Sequence, residues 1–240
     1  MSEIMDDIFP TLFAKTFFIL ATQLSITWVA ARATLVYFQR KYQQGASWVT
    51  ATKNKAGFLD LHVDQQILKG PIYILLAVYF ATFFFLELYA AEYMRLGLLT
   101  FSFWSVQVGI IVALCLIAVD ENMGMKVVAL TALITVLTAL IGIYSGIDFG
   151  FLSTGLFIAL LLLLGANILR IFIDIPRMKQ RVIAGIGVVI FTLYMVHDFN
   201  ALAKADAAGV NDWPAAIHIS IGIYLDIINL LLELLDTMSD

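Results

Sequence analysis

Seven apolar stretches account for most of this chain: residues 11–38, 71–92, 96–119, 125–145, 149–172, 179–201 and 214–236. In hydrocarbon there is no water to hydrogen-bond a bare backbone, so such stretches must satisfy their own N–H and C=O groups. A helix does so, and about 20 residues of it cross a hydrocarbon core of roughly 30 Å. The pattern predicts an all-α membrane protein, a bundle of seven transmembrane helices in a single integral membrane domain over residues 1–240.

Composition agrees. The chain is 62% hydrophobic and 13% charged, with a mean hydropathy of +0.94. Soluble domains carry about 25% charged residues. The net charge of -4 offers no basic patch and argues against a nucleic-acid partner. The single cysteine, Cys115, excludes an intramolecular disulfide. The acidic N-terminus, with Glu3, Asp6 and Asp7, fits neither a secretory signal nor a transit peptide, so the first helix is expected to stay in the mature protein.

The joints are short and polar, and Pro71 and Pro214 each open a span, where the missing N–H costs nothing. Lys15 and Arg32 in the first span are expected to snorkel toward opposite headgroup layers. The long basic loop 39–70 holds Arg40, Lys41, Lys53, Lys55 and Lys69. Within it Phe58, Leu61 and Leu68 recur at roughly helical spacing, which suggests a short interfacial amphipathic helix; an ordered polar loop is the alternative. Lys and Arg concentrate on the side of this loop and the C-terminus, so the positive-inside rule puts the N-terminus outside and the C-terminus inside.

Asp198 and Asp226 carry the functional signal. An ionisable group inside a membrane helix is costly and marks a functional site by default. Two acids on adjacent helices can also share a proton, which would permit a pH-dependent switch. On the last helix His218, Gly222, Asp226, Asn229 and Glu233 fall within about 80° of one another. A polar stripe must turn toward protein or water, and Gly222 lets another helix approach closely, so the seventh helix is expected to be central. His197, His218, Asn229 and Glu233 are candidate supporting residues. Glu87 and Arg95 are candidate counter-charges, together with Glu92. No soluble-type metal or nucleotide motif is present, and no cofactor or enzymatic activity is expected. An aspartyl intramembrane protease would need Y-D and G-x-G-D motifs, which this chain lacks, and a retinal protein would need a Lys in the last helix.

His197-Asp198-Phe199-Asn200 and the octapeptide from Ile223 to Leu230 resemble the signature of the Bax inhibitor-1 family, whose seventh helix reads L-Y-L-D-I-I-N-L. Asp148-Phe149-Gly150-Phe151-Leu152 with Gly155-Leu156-Phe157 is similar to the start of that family's fifth helix. Ala166-Asn167-Ile168-Leu169 with Ile171-Phe172 resembles its end, and Leu20 to Thr27 resembles its first helix. The resemblance covers most of the chain. It implies a seven-helix bundle with a central seventh helix and a pH-sensitive calcium leak. Two aspartates, matching Asp198 and Asp226, would share a proton and latch the pore; losing it would bring repulsion and leave carboxylates able to contact Ca²⁺ transiently. Ca²⁺ is then the permeant ion, and the lipid bilayer and other membrane proteins are the expected partners. The expected location is a bacterial inner membrane, with an organelle membrane as alternative. One departure stands out: the family's helix seven commonly ends L-L-R, whereas Asp236 follows Leu234-Leu235 here. The rival function is a non-conducting interaction protein that binds or regulates other membrane proteins or a membrane protease.

Overall fold

The computed structural model describes residues 7–53, 59–89, 94–117, 119 and 121–239. Its elements are α1 (Leu12–Gln43), β1 (Val49–Lys53), β2 (Leu59–Val63), α2 (Gln65–Tyr89), α3 (Met94–Ile117), α4 (Glu121–Tyr144), a 3-10 turn (Phe149–Leu152), α5 (Ser153–Phe172), α6 (Arg177–Ala207) and α7 (Trp213–Met238). Seven of these helices are long and apolar enough to cross a membrane. They alternate in direction, so the N-terminus and the α6–α7 loop share one side, and the C-terminus and the α5–α6 loop share the other.

Local chemistry sets the ends. Thr11 caps α1 by accepting from Ala14 N–H, and Asp212 caps α7 by accepting from Ala215 N–H at 2.8 Å, with Pro214 in the first turn. Gly209, at φ 82°, ends α6 in the left-handed region and lets Val210 N–H return to the Ala205 carbonyl.

α7 is the hub. Its most apolar window is 61% buried, against 6% for α2 and 11% for α5, and it packs on α6, α1, α4 and α3. Trp104, Tyr224, Phe101, Met195 and Phe199 form the buried centre. α1 crosses α3 so tightly that a Cβ on Gly109 would stand 2.4 Å from the Thr27 carbonyl oxygen. Polar groups at this crossing bond each other: Thr27 Oγ1 lies 2.5 Å from the Tyr224 hydroxyl, and Ser105 Oγ donates to Gln23 Oε1 at 3.0 Å.

Three expectations are corrected. Pro71 does not open a span: it lies inside α2, which starts at Gln65. Residues 59–63 are a strand, not part of an interfacial amphipathic helix: Val49 to Lys53 pair antiparallel with Leu59 to Val63. Leu59, Leu61 and Val63 alternate at period two, and Val49, Thr50 and Thr52 are β-branched, which favours a hairpin. Leu68 lies beyond it in α2, and Phe58 is outside the described residues. Nor does Lys15 snorkel. It is 2% exposed, and its Nζ donates to the backbone oxygen and Oδ1 of Asn211 at 3.0 and 3.1 Å, tying α1 to the α6–α7 loop.

Candidate functional site

α6 and α7 form an antiparallel hairpin closed by residues 208–212. The apolar stretch 179–201 places Asp198 three residues from the end of this span. Instead α6 continues for more than two turns, to Ala207, so Asp198 lies within the helix. The 194–207 segment keeps its helix because Asn200 and Lys204 anchor its far end. Asn200 Nδ2 donates to the carbonyls of Gly142 and Ile147 at 3.1 and 2.9 Å, and its Oδ1 accepts from Phe149 N–H at 3.0 Å. Lys204 pairs with Asp148. Burial and the hydrogen bonds make Asn200 a fastener of the α4–α5 joint onto α6; the H-D-F-N motif contained it but did not reveal that role.

Asp198 projects onto α7 at a glycine. Its Oδ2 stands 2.7 Å from the point a Cβ would occupy on Gly222, while its Oδ1 lies 2.9 Å from His197 Nδ1. Gly222 thus makes the room in which the carboxylate rests. Asp226, one turn further along α7, is 6% exposed, and its Oδ2 has no hydrogen-bond partner among the described residues. Asp198 and Asp226 are close enough to interact electrostatically, and Tyr194 of α6 is within reach of both charges. A buried carboxylate oxygen without a partner is expensive as an anion.

The remaining candidates separate. His197 joins the site through Asp198. Asn229 is half-buried, one turn below Asp226. Glu233 lies two turns below Asp226 and packs on Gly187 of α6, whose Cβ would meet its Cδ at 2.6 Å. His218 is exposed, as are Glu87 and Arg95; Glu92 lies outside the described residues. Among the described residues no group of three or more His, Cys, Asp or Glu is placed to hold a metal ion. Sequence reasoning missed Gly187 and the pairing of Arg170 and Arg177 with Asp236. Arg170 and Arg177 donate to the two oxygens of Asp236 at 2.9 and 2.6 Å. The acid standing where a base was expected was the signal for that pairing.

Just outside the bilayer segments, the Lys204 ammonium and the Gly150 N–H hold the Asp148 carboxyl below its ordinary range.

Comparison with known sequences follows the same geometry. LIFEGUARD 2 of Arabidopsis thaliana is 25% identical over 224 residues, covering 92% of this chain and 84% of that protein. LIFEGUARD 4 of the same plant is 26% identical over 227 residues, 92% of this chain and 81% of that protein. LIFEGUARD 1 is 35% identical over 95 residues, 40% of this chain and 38% of that protein. The family described as "Inhibitor of apoptosis-promoting Bax1" matches residues 10–240, a span that takes in all seven helices and the acid-bearing α6–α7 hairpin. This multi-pass membrane protein belongs to the Bax inhibitor-like family.

Proposed function

We propose that the chain is a pH-sensitive calcium-leak channel gated by Asp198 and Asp226. The observation that carries this reading is the Asp198 carboxylate seated on Gly222 within electrostatic reach of a buried Asp226 whose Oδ2 has no partner among the described residues. Two carboxylates that interact in a poorly polarisable interior can share one proton. With one proton between them they attract, and α6 stays against α7. Removing that proton leaves two like charges; adding a second leaves no carboxylate to attract the neighbouring acid. Either change loosens the seam, and the exposed carboxylate oxygens suit transient contact with a hard cation such as Ca²⁺. His197 beside Asp198 tunes the pair.

In this reading the protein is not an enzyme, and it carries no cofactor. The N-terminal side faces outward and the basic C-terminal side inward. The membrane is a bacterial plasma membrane, an assignment the plant relatives do not support.

The test is Ca²⁺ entry into proteoliposomes of purified protein, scanned from about pH 6 to pH 8, a range that coupled carboxyl pairs can reach. The leak should depend on pH, and Asp198→Asn and Asp226→Asn should each flatten that dependence. A parental pH profile in both variants would sink the gate. No flux above empty liposomes at any pH would leave the non-conducting interaction protein as the reading.

A further inference from the structure

The α6–α7 seam repeats one device at both ends, in opposite senses. Near the N-terminal side an acid of α6, Asp198, rests on a glycine of α7, Gly222. Near the C-terminal side an acid of α7, Glu233, rests on a glycine of α6, Gly187. The glycine and the acid are eleven residues apart on both helices, so antiparallel packing brings both contacts into register together. They stand about 16 Å apart along the seam.

The second contact has its own surroundings. From α5, Asn167 stands near Glu233, and Arg170 Nη1 donates to Asn167 Oδ1 at 3.1 Å. From α7 itself, Asp236 faces Glu233 and is clamped between Arg170 and Arg177. Arg177 also reaches the carbonyls of Asp236 and Ser239 at 2.8 and 3.0 Å, and Arg181 donates to that of Thr237 at 2.9 Å. Two acids here meet three arginines, so the cluster does not build the negative field that would hold a cation. It binds three helices together instead. Cys115 of α3 lies half-buried at this end, close enough to Asp236 to sense its charge.

We propose that Glu233, seated on Gly187 and braced by Asn167 and the Arg170–Asp236–Arg177 clamp, is a second closed gate at the C-terminal-side end of the seam, distinct from the aspartate pair. Its role in conduction rests on the channel reading above, but its existence as a barrier to water does not. Dislodging Glu233 opens the C-terminal-side end of the bundle, where Cys115 lies in the last turn of α3. The lone thiol then reports the opening without an engineered label.

The experiment is the rate at which a charged, membrane-impermeant methanethiosulfonate modifies Cys115 in the full chain in lipid nanodiscs. Gly187→Ala forces the Glu233 carboxyl away without altering charge, and Glu233→Ala removes it. Gly185→Ala is the control, since nothing lies within 4 Å of a Cβ there. Gly187→Ala and Glu233→Ala should each speed modification about tenfold if the open population governs the rate, and Gly185→Ala should leave it at the parental rate. A parental rate in either folded test variant overturns the gate, and so does an equal acceleration by Gly185→Ala. If liposomes show no Ca²⁺ flux while the thiol rates change as expected, the channel reading fails and the barrier stands.

Discussion

The carboxylate of Asp198 occupies the space that a side chain on Gly222 would need, its Oδ2 standing 2.7 Å from the missing Cβ. A Gly222→Ala variant must therefore push Asp198 off α7. The expected cost is about 1–3 kcal/mol, the range for overpacking a well-filled interior. In an Asp198→Ala background the sign should reverse. There the added methyl meets no carboxylate and gains up to about 1 kcal/mol from helix propensity. A double-mutant cycle by thermal melting in detergent checks this; additive effects would show that the two residues do not share the space.

Asn200 offers a test of the frame that holds Asp198 in place. Asn200→Ala removes three hydrogen bonds and leaves carbonyls of the α4–α5 joint without their donor. Each buried group left unsatisfied costs about 1–3 kcal/mol, so a loss of several degrees in melting temperature is expected. A variant that melts with the parent would mean that water replaces the amide at that joint.

Asp148 and Lys204 predict a pH effect outside the bilayer. The folded carboxyl is held below its ordinary value, chiefly by the bond from Lys204. Its contribution to stability is then complete above the unfolded value of about 3.9 and is lost as pH falls through the lower folded value. Melting curves of the parent and Asp148→Asn should differ near neutral pH and converge in acid. The gap will be small because the pair is exposed. A gap that persists at the lowest pH would assign the stabilisation to something other than the charge.

Tyr224 tests the α1–α7 contact. Its hydroxyl lies 2.5 Å from Thr27 Oγ1, and Thr27 also donates to the Gln23 carbonyl at 2.9 Å. Tyr224→Phe thus leaves Thr27 with a partner and should cost about 1 kcal/mol, or roughly 2–4 °C in melting temperature for a chain of this size. A loss several times larger would show that the hydroxyl supports more of the crossing than this one bond.

Much of this architecture was legible in the residues. Long apolar runs force helices in a bilayer, and the stripe through Gly222 and Asp226 marks α7 as the helix that must be enclosed. Family membership followed from motifs of short range. The rest depends on which residues meet across the sequence. Glu233 and Gly187 are 46 positions apart, and nothing local to either announces the other. The hairpin was misread for a different reason. Leu61 and Leu68 fit a helical spacing, but the period-two run from Leu59 to Val63 is shorter and harder to see than a 20-residue span. Lys15 was misplaced because its partner Asn211 lies in a loop 196 residues away.

The paired glycine contacts of the seam also decide what kind of motion it permits. Glu233 and Asp198 behave as two pegs in two holes. Residues that share a helix face recur every three or four positions, so the nearest alternative seats lie about one turn away. A one-turn ratchet would set Glu233 on Ile183 or Phe191. Sliding by a turn is therefore blocked at the Glu233 end, and there the two helices part by swinging or lifting away from each other.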